Sequence, residues 1–158
     1  MDLYELAAEL ADEIVTHARE STPEEACGII AGAGNSGCRL YRGRNVSPTP
    51  KVAFALDPET LARQLDFEDA GLAMTAIYHS HPVGPETPSP LDICQASEGY
   101  PDSITIICCL AEVNKPVLRA FRIVDARVRE ISLVPTREVT TLTNQSPRNT
   151  LRTQETRT

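Results

Sequence analysis

Proline and glycine interrupt this chain at short intervals and thereby restrict it to short secondary-structure elements. The 158 residues include 12 prolines and 8 glycines. Proline can neither continue a helix nor pair within a central strand, so the pattern excludes a bundle of long helices. Hydrophobic periodicity between the interruptions predicts the order α-β-β-β-α-β-α-β-β-β. This order is typical of a mixed α/β fold with a largely antiparallel sheet flanked by helices.

Local patterns give the bounds of the predicted elements. Apolar residues at helical spacing predict a helix over 3–18, and an Asp-Pro pair predicts the start of a second helix over 57–71. Ser89 and Asp92 have the spacing of an N-cap and a capping acid, which predicts the start of a third helix. Period-two or continuous apolar segments predict strands over 26–32, 38–44, 52–56, 72–79, 103–110, 117–124 and 127–134.

Composition and charge exclude several classes of function. The chain has 41% hydrophobic and 23% charged residues, as a globular protein does, and its net charge of -7 is opposite to what binding to a phosphate backbone requires. No apolar segment approaches the ~20 residues of a membrane span, and the acidic N-terminus is unlike a secretory signal. The five cysteines form no C-x-x-C pair. We therefore expect a cytoplasmic protein that binds neither nucleic acid nor membrane.

The character of the chain changes at Pro135. Residues 1–134 carry the periodic apolar pattern and are predicted to form a single domain, because a chain of this length supports one core. Residues 135–158 are rich in threonine and poor in apolar residues. This composition favours a flexible polar tail, with binding to a partner as the alternative.

Two histidines separated by one residue lie at the end of a predicted strand. Successive side chains of a strand alternate between its faces, so His79 and His81 point to the same side and can chelate one metal ion. Catalytic zinc sites usually combine three protein ligands with one water. Asp92 is the candidate third ligand, because the proline-rich loop 82–88 must fold back towards the histidines. The alternatives are two strand-end histidines without a special role and an aspartate that only caps a helix.

A hydrolytic metal site also requires a base, and two acidic residues precede the first predicted strand. Glu25 is the nearer to the strand and is the candidate to point inward, whereas Glu24 is expected to be solvated. Cys27 is disfavoured as a nucleophile because no third orienting residue is evident. His17 is expected to be a surface or capping histidine.

Together these residues resemble the JAMM, or MPN-plus, family of zinc metalloproteases. The family pattern is an upstream Glu, then H-[ST]-H, seven residues, Ser, two residues and Asp. This sequence contains Glu25-Ala26-Cys27-Gly28, His79-Ser80-His81-Pro82 and Ser89-Pro90-Leu91-Asp92 at the required spacings. The resemblance covers residues 3–134 and is greater to the short prokaryotic members. It implies a fold of the MPN or cytidine-deaminase-like type.

The resemblance also implies a role for each matching residue. One zinc ion per chain would be bound by His79, His81 and Asp92, with a water in the fourth position. Glu25 would be the general base that activates this water and later protonates the leaving amine. The Ser89 hydroxyl would donate a hydrogen bond to the oxyanion, provided that it caps the helix as an acceptor and keeps its proton free. The metal is expected to draw Asp92 away from helix capping.

Members of this family hydrolyse amide bonds, often isopeptide bonds at the C-terminus of a ubiquitin-like protein. Prokaryotic relatives act on small β-grasp proteins, which include sulfur carriers that end in Gly-Gly. The resemblance therefore implies a ubiquitin-like or sulfur-carrier protein as the substrate. A metal-free MPN scaffold that assembles partners is the alternative from another class. A zinc deaminase is disfavoured because H-x-E and P-C-x-x-C are absent.

Two segments are candidates for contact with a protein substrate. The basic segment 39–51 contains three arginines and one lysine but no acid, and it is either a solvated hairpin or a contact for an acidic face of the substrate. The flexible tail of a ubiquitin-like protein could add as a strand at a sheet edge near the site. Residues 83–87 would then form part of the groove.

Overall fold

The computed structural model describes residues 2–136, which form seven strands and four helices. The strands close into one barrel in the order β1-β3-β2-β4-β5-β6-β7. The elements along the chain are β1 (Leu3–Ala7), α1 (Ala8–Ser21), β2 (Cys27–Ala33), β3 (Ser36–Arg42), α2 (Pro58–Ala62), α3 (Gln64–Asp69), β4 (Ala73–His81), α4 (Pro90–Gly99), β5 (Ile104–Cys109), β6 (Val117–Val124) and β7 (Arg127–Thr136).

Antiparallel pairing predominates within residues 2–136, which confirms the predicted fold class. β2 pairs antiparallel with β3 and β4, and β6 pairs antiparallel with β5 and β7. The parallel pairs are β1 with β3, β1 with β7, and β4 with β5. Parallel neighbours require a crossover connection, and between β4 and β5 this connection contains α4. The crossover places the start of α4 beside the end of β4.

A small apolar cluster fixes α4 on the sheet. Ala96 of α4 is buried with Ile107, Phe121 and Ile123, and Ile93 packs against this group. Burial of an aliphatic or aromatic side chain stabilises the folded state by about 1.5–3 kcal/mol. Packing of the helix body therefore determines where its first turn lies.

The predicted helix over 3–18 is wrong at its beginning. Residues 3–7 form β1, which pairs in parallel with β7 from Leu3 opposite Ser132 to Ala7 opposite Thr136. Tyr4 and Leu6 are buried while Glu5 is exposed, which is the alternation of a strand. The spacing of Leu3, Leu6 and Ala7 also fits a helix, and pairing with β3 and β7, which lie elsewhere in the chain, decides between them.

The histidine of α1 is buried against the sheet. The buried residues of α1 are Ile14, His17 and Ala18. His17 Nδ1 lies 2.8 Å from the Tyr78 hydroxyl. The expectation that His17 is a surface or capping histidine is therefore wrong.

The predicted strand over 52–56 is also wrong. Within the described chain, this segment contributes one isolated bridge, between Asn45 and Leu56, and no strand ladder. The side-chain amide of Asn45 instead hydrogen-bonds the Ala53 carbonyl and the Ala55 amide, which a strand ladder would pair with another strand. The helix start at Asp57 is confirmed, because its side chain accepts a hydrogen bond from the Thr60 amide, but the predicted helix is divided into α2 and α3.

The end of the described chain coincides with the end of β7. This strand continues to Thr136, two residues beyond the predicted end of the strand. The predicted polar tail otherwise lies outside the described residues. Among the helices of residues 2–136, none combines the length and the apolar character that a membrane crossing requires.

Candidate metal centre

The two histidines of the H-x-H motif occupy the carboxyl-terminal end of β4. Both are buried, and both point towards the start of α4, as the strand alternation predicts. β4 is paired on both sides here: His79 lies opposite Cys27 of β2 and Ile107 of β5. A central strand held by two neighbours offers little freedom of movement, so the backbone positions of both histidines are fixed.

Asp92 completes a group of three mutually close donor atoms. Its Oδ2 lies 3.1 Å from Nε2 of His79 and 3.1 Å from Nε2 of His81. The two Nε2 atoms are themselves 3.1 Å apart. In a tetrahedral site with bonds of about 2.0 Å, two ligand atoms are about 3.3 Å apart. The three atoms therefore have the spacing of one face of a tetrahedral metal site.

One hydrogen bond outside this triangle sets the tautomer of His81 in its neutral form. His81 Nδ1 donates to the Pro85 carbonyl at 2.7 Å, because a carbonyl can only accept. A neutral His81 then carries no proton on Nε2, the atom that faces Asp92. Such an outer hydrogen bond is the usual means of orienting a metal-binding imidazole. The donor set of two imidazole nitrogens and one carboxylate oxygen suits a divalent metal ion.

The protonation states follow from burial and from these contacts. Burial alone would raise the pKa of Asp92, but its hydrogen bonds with His79 and His81 hold the pKa well below the ordinary value. Burial lowers the pKa of His79 despite the nearby carboxylate. For His81, burial acts in the same direction but is outweighed by hydrogen bonds with Asp92 and the Pro85 carbonyl, so the pKa is raised. A charged carboxylate thus faces a largely uncharged His79.

Glu25 lies beside the two histidines and is also buried. Its Oε1 is 3.5 Å from Nε2 of His81, and a ligand atom from each of Glu25, His79 and His81 falls within 4.8 Å of the others. Burial raises the pKa of Glu25 to about 7, against the opposing effect of His81. Its Oε2 is buried without a hydrogen-bond partner among the described residues. This carboxyl group is therefore suited to exchanging a proton near neutral pH. Glu24 is exposed.

Ser89 and Asp92 form a capping box at the start of α4. The Asp92 amide donates to Ser89 Oγ at 3.1 Å, and the Ser89 amide donates to Asp92 Oδ2 at 2.8 Å. The same oxygen of Asp92 thus caps the helix and faces both imidazoles, whereas a choice between these roles was expected. A carboxylate oxygen has more than one lone pair, and the capping bond holds it towards the histidines. Ser89 is half-buried, and its hydroxyl acts as an acceptor in the cap.

Several residues that position the site are absent from the predicted set. Ser80 Oγ accepts a hydrogen bond from the Ala26 amide at 2.7 Å, which joins β4 to the residue next to Glu25. The Phe54 ring stacks on the His79 imidazole with centroids 4.4 Å apart. The hydroxyl position of H-[ST]-H was a usable signal for Ser80. No local pattern marks Phe54, because its contact depends on the course of an irregular loop.

The remaining candidates are Cys27 and the basic segment 39–51. Cys27 is fully buried, and burial raises the pKa of its thiol to about 12, which opposes a role as nucleophile. In the basic segment 39–51, Arg42 is held by Glu20 at 2.7 Å and Glu13 at 3.4 Å. Arg39, Arg44 and Lys51 are exposed. Contact of this segment with a substrate stays a prediction.

Residues 7–124 match the family described as prokaryotic homologs of the JAB domain. The match covers more than half of the chain and includes Glu25, the two histidines and Asp92. The chain therefore belongs to this family, and the resemblance to JAMM metalloproteases is confirmed.

Named relatives agree with this assignment. The chain is 33% identical over 127 residues to the CysO-cysteine peptidase of Mycobacterium tuberculosis, covering 79% of this chain and 86% of the relative. It is 37% identical over 110 residues to the desampylase of Haloferax volcanii, covering 65% and 78% respectively. It is 41% identical over 88 residues to a probable TtuB-protein conjugate cleaving protease of Thermus thermophilus, covering 55% and 59%.

Solved structures show the same fold. A protein from Desulfitobacterium hafniense has a TM-score of 0.76 and 31% identity, over 88% of this chain and 96% of that protein. A JAB1/MPN domain protein from Archaeoglobus fulgidus has a TM-score of 0.55 at 16% identity, over 85% and 100%. The latter likeness supports the fold alone.

Proposed function

We propose that this protein is a zinc-dependent isopeptidase that hydrolyses amide bonds at the C-terminus of ubiquitin-like or sulfur-carrier proteins. The observation that carries the proposal is the triangle of three buried donor atoms, 3.1 Å apart, with the carboxyl group of Glu25 beside it. Membership of the JAB-domain family supports the hydrolytic class.

The ligands of one zinc ion per chain would be His79, His81 and Asp92. These residues supply the nitrogen and carboxylate oxygen donors that zinc prefers, and three protein ligands leave a position open, as catalytic sites require. Asp92 is preferred to Glu25 as the third ligand because its oxygen is equally close to both imidazoles, whereas Glu25 is 3.5 Å from His81. When bound, zinc polarises the scissile carbonyl and lowers the pKa of a bound water to near 7.

Glu25 is the proposed general base. Its buried carboxyl group lies beside the proposed ligands and has a free oxygen among the described residues. It takes the proton from the attacking water and delivers it to the nitrogen of the leaving amine, so the carboxylate is regenerated at the end of each turnover.

Ser89 is the proposed hydrogen-bond donor to the oxyanion that develops on the substrate carbonyl. In the capping box its oxygen accepts from the Asp92 amide, so the hydroxyl proton is available for the substrate. A preorganised donor of this kind stabilises the transition state more than the ground state. The capping bond fixes the hydroxyl next to Asp92 before substrate binds.

The substrate class is supported by the names of three relatives. They describe a desampylase, a peptidase for a CysO-cysteine adduct and a protease that cleaves TtuB-protein conjugates. We transfer from them the common element, which is a bond at the end of a small carrier protein. The full set of donor atoms argues against the metal-free scaffold as the alternative.

We also propose that residues 1–134 form the catalytic domain, with 135–158 as a polar tail, and that the protein works in the cytoplasm. All five cysteines are free, and three of them are buried. Free thiols accord with a reducing compartment.

Two model substrates and a chelator test this proposal. One substrate carries a C-terminal Gly-Gly joined to a lysine side chain, and the other carries Gly-Gly joined to the amino group of cysteine. We expect cleavage of at least one, loss of cleavage after treatment with a chelator, and recovery with one equivalent of zinc. Cleavage that continues in the metal-free protein would contradict the proposal, as would no cleavage of either substrate by zinc-loaded protein.

A further inference from the structure

The segment 45–56, here named the Asn45 loop, is organised by one side chain. The Asn45 side-chain nitrogen lies within hydrogen-bond distance of three carbonyls, which share its two hydrogens, and the side-chain oxygen accepts from two backbone amides. The donor contacts are to Glu25 O at 3.0 Å, Ala53 O at 3.0 Å and Pro50 O at 3.3 Å. The acceptor contacts are from Ser47 N at 3.0 Å and Ala55 N at 3.1 Å. Only a carboxamide offers two donor hydrogens and an acceptor oxygen on one short side chain.

These contacts connect the loop to Glu25 on both sides of that residue. The Asn45 side chain binds the Glu25 carbonyl, and the Glu25 amide donates to the Pro50 carbonyl at 2.8 Å. The loop thus holds the main chain of Glu25 at two points. Both would be displaced together if the loop lost its organising side chain.

The side chain of Glu25 has little to fix it by itself. Its Oε2 has no hydrogen-bond partner among the described residues, and its Oε1 is 3.5 Å from His81. The hydrogen bonds that hold Glu25 are therefore those of its main chain. In most sites a hydrogen bond to the side chain itself holds the functional group in position.

The same loop also reaches the histidines and α4. Phe54 lies between the two residues whose backbone groups bind Asn45, and its ring stacks on His79. Its carbonyl accepts a hydrogen bond from Gln95 of α4 at 2.9 Å. The Asn45 loop therefore contacts Glu25, β4 and α4, the three parts of the chain that carry the site.

We propose that Asn45 is a positioning residue for Glu25: its carboxamide fixes the loop that holds the Glu25 main chain, and so places the carboxyl group beside His81. This inference rests on the proposed function for its effect on turnover. The placement of Glu25 itself is a structural property that is measured without substrate.

The first measurement is amide hydrogen exchange on Asn45→Ala. The acceptor of the Glu25 amide is Pro50, not Asn45, so the substitution leaves that acceptor in place. We expect the Glu25 amide to exchange at least about 10-fold faster, because the loop shifts. Asn35→Ala is the matched control: it removes an asparagine that donates to one carbonyl, that of Leu3 at 3.1 Å, away from the loop. Unchanged protection of Glu25 in Asn45→Ala would overturn the proposal.

The second measurement is a double-mutant cycle on turnover. We expect Asn45→Ala to lower kcat at least about 10-fold with little change in KM, and to have almost no further effect in a Glu25→Gln background. A plain loss of stability would not depend on Glu25. An equal loss of kcat in both backgrounds would overturn the proposal, and so would a normal kcat in Asn45→Ala.

A substitute variant and a measurement without substrate cover the cases in which Asn45→Ala does not fold or the wild-type protein is inactive. If Asn45→Ala does not fold, Asn45→Ser carries the same expectations, because its short hydroxyl cannot replace the contact to Glu25. If the wild-type protein cleaves no substrate, the proposed function fails, and the exchange of the Glu25 amide alone decides whether Asn45 positions this residue.

Discussion

The two faces of β4 both carry buried polar groups, but they satisfy them differently. On one face, Tyr78 binds His17 at 2.8 Å and Ser80 binds the Ala26 amide at 2.7 Å. On the other, His79 and His81 converge on Asp92, and His79 Nδ1 has no hydrogen-bond partner among the described residues.

The Tyr78 face of β4 thus stabilises the fold, whereas the histidine face carries the proposed metal site. Unsatisfied buried polar groups cost about 1–3 kcal/mol each, so they persist where another role maintains them. The Tyr78 face, by contrast, is closely packed: a Cβ on Gly28 would overlap the Tyr78 ring. Substitutions on the histidine face should therefore change activity, and those on the Tyr78 face should change stability.

The largest effect is expected from removing a proposed ligand. His81→Ala takes away one corner of the donor triangle, and we expect loss of bound zinc and of measurable hydrolysis. His17→Ala is the matched control on the opposite face and should retain one zinc per chain. Elemental analysis of both proteins checks this prediction, and a full complement of zinc in His81→Ala would contradict it.

Glu25→Gln should keep the metal and lose most of the turnover. Glutamine has the same shape but cannot accept the proton, and general-base catalysis contributes about 10²–10⁴-fold. Glu24→Gln, at the exposed neighbouring position, should be unaffected. Steady-state kinetics on zinc-loaded proteins decide the matter, and a Glu25→Gln rate above about a tenth of wild type, worth only ~1.4 kcal/mol, would exclude Glu25 as the base.

Ser89→Ala tests a residue that caps a helix and is also the proposed oxyanion donor. As a cap, its loss should cost about 0.5–2 kcal/mol of stability. As an oxyanion donor, its loss should also lower kcat by roughly 10²-fold or more. Both kcat and the melting temperature are to be measured on one preparation. A destabilised protein with normal kcat would leave Ser89 as a cap alone.

Tyr78→Phe should lower stability and spare activity. The substitution keeps the ring but leaves His17 Nδ1 buried without a partner, at a cost of about 1–3 kcal/mol. Thermal unfolding and kcat of the zinc-loaded protein check this prediction. A large fall in kcat would show that the two faces of β4 are not separable.

The smallest effect concerns pH. Burial lowers the pKa of His17, and the Arg42 charge acts in the same direction. The unfolded chain therefore binds a proton more readily than the folded one, and stability should decrease as the pH falls below about 6.5. The melting temperature of His17→Gln should vary less than that of wild type between about pH 7.5 and about pH 5.5. Equal slopes would contradict this account.

The sequence predicts the parts of the site whose geometry is local. The period of a strand brings His79 and His81 to one face, and a capping box fixes Ser89 relative to Asp92. Their roles stay predictions, but their proximity follows from short-range rules. The convergence of Glu25 on the histidines depends on the pairing of β2 with β4, which periodicity does not predict; the family resemblance implied only the role of Glu25.

The wrong expectations about residues 3–7, residues 52–56 and His17 each depend on a contact outside the segment concerned. β1 is a strand because β7 pairs with it, and residues 52–56 form a loop because Asn45 occupies their backbone groups. His17 is buried because Tyr78 lies beneath α1. The first and third contacts join residues far apart in the sequence, and the second lies in a segment where no periodic pattern marks it.

The pairing of β1 with β7 has a consequence for how the protein is made. All of the proposed zinc ligands leave the ribosome before residue 127, yet the barrel cannot close until β7 follows and meets β1. Contacts between such distant segments slow folding. A fragment cut to the family match, residues 7–124, would keep every candidate site residue but lack both closing strands. The open edges of β3 and β6 would then be available for pairing with other chains, so such a fragment should aggregate.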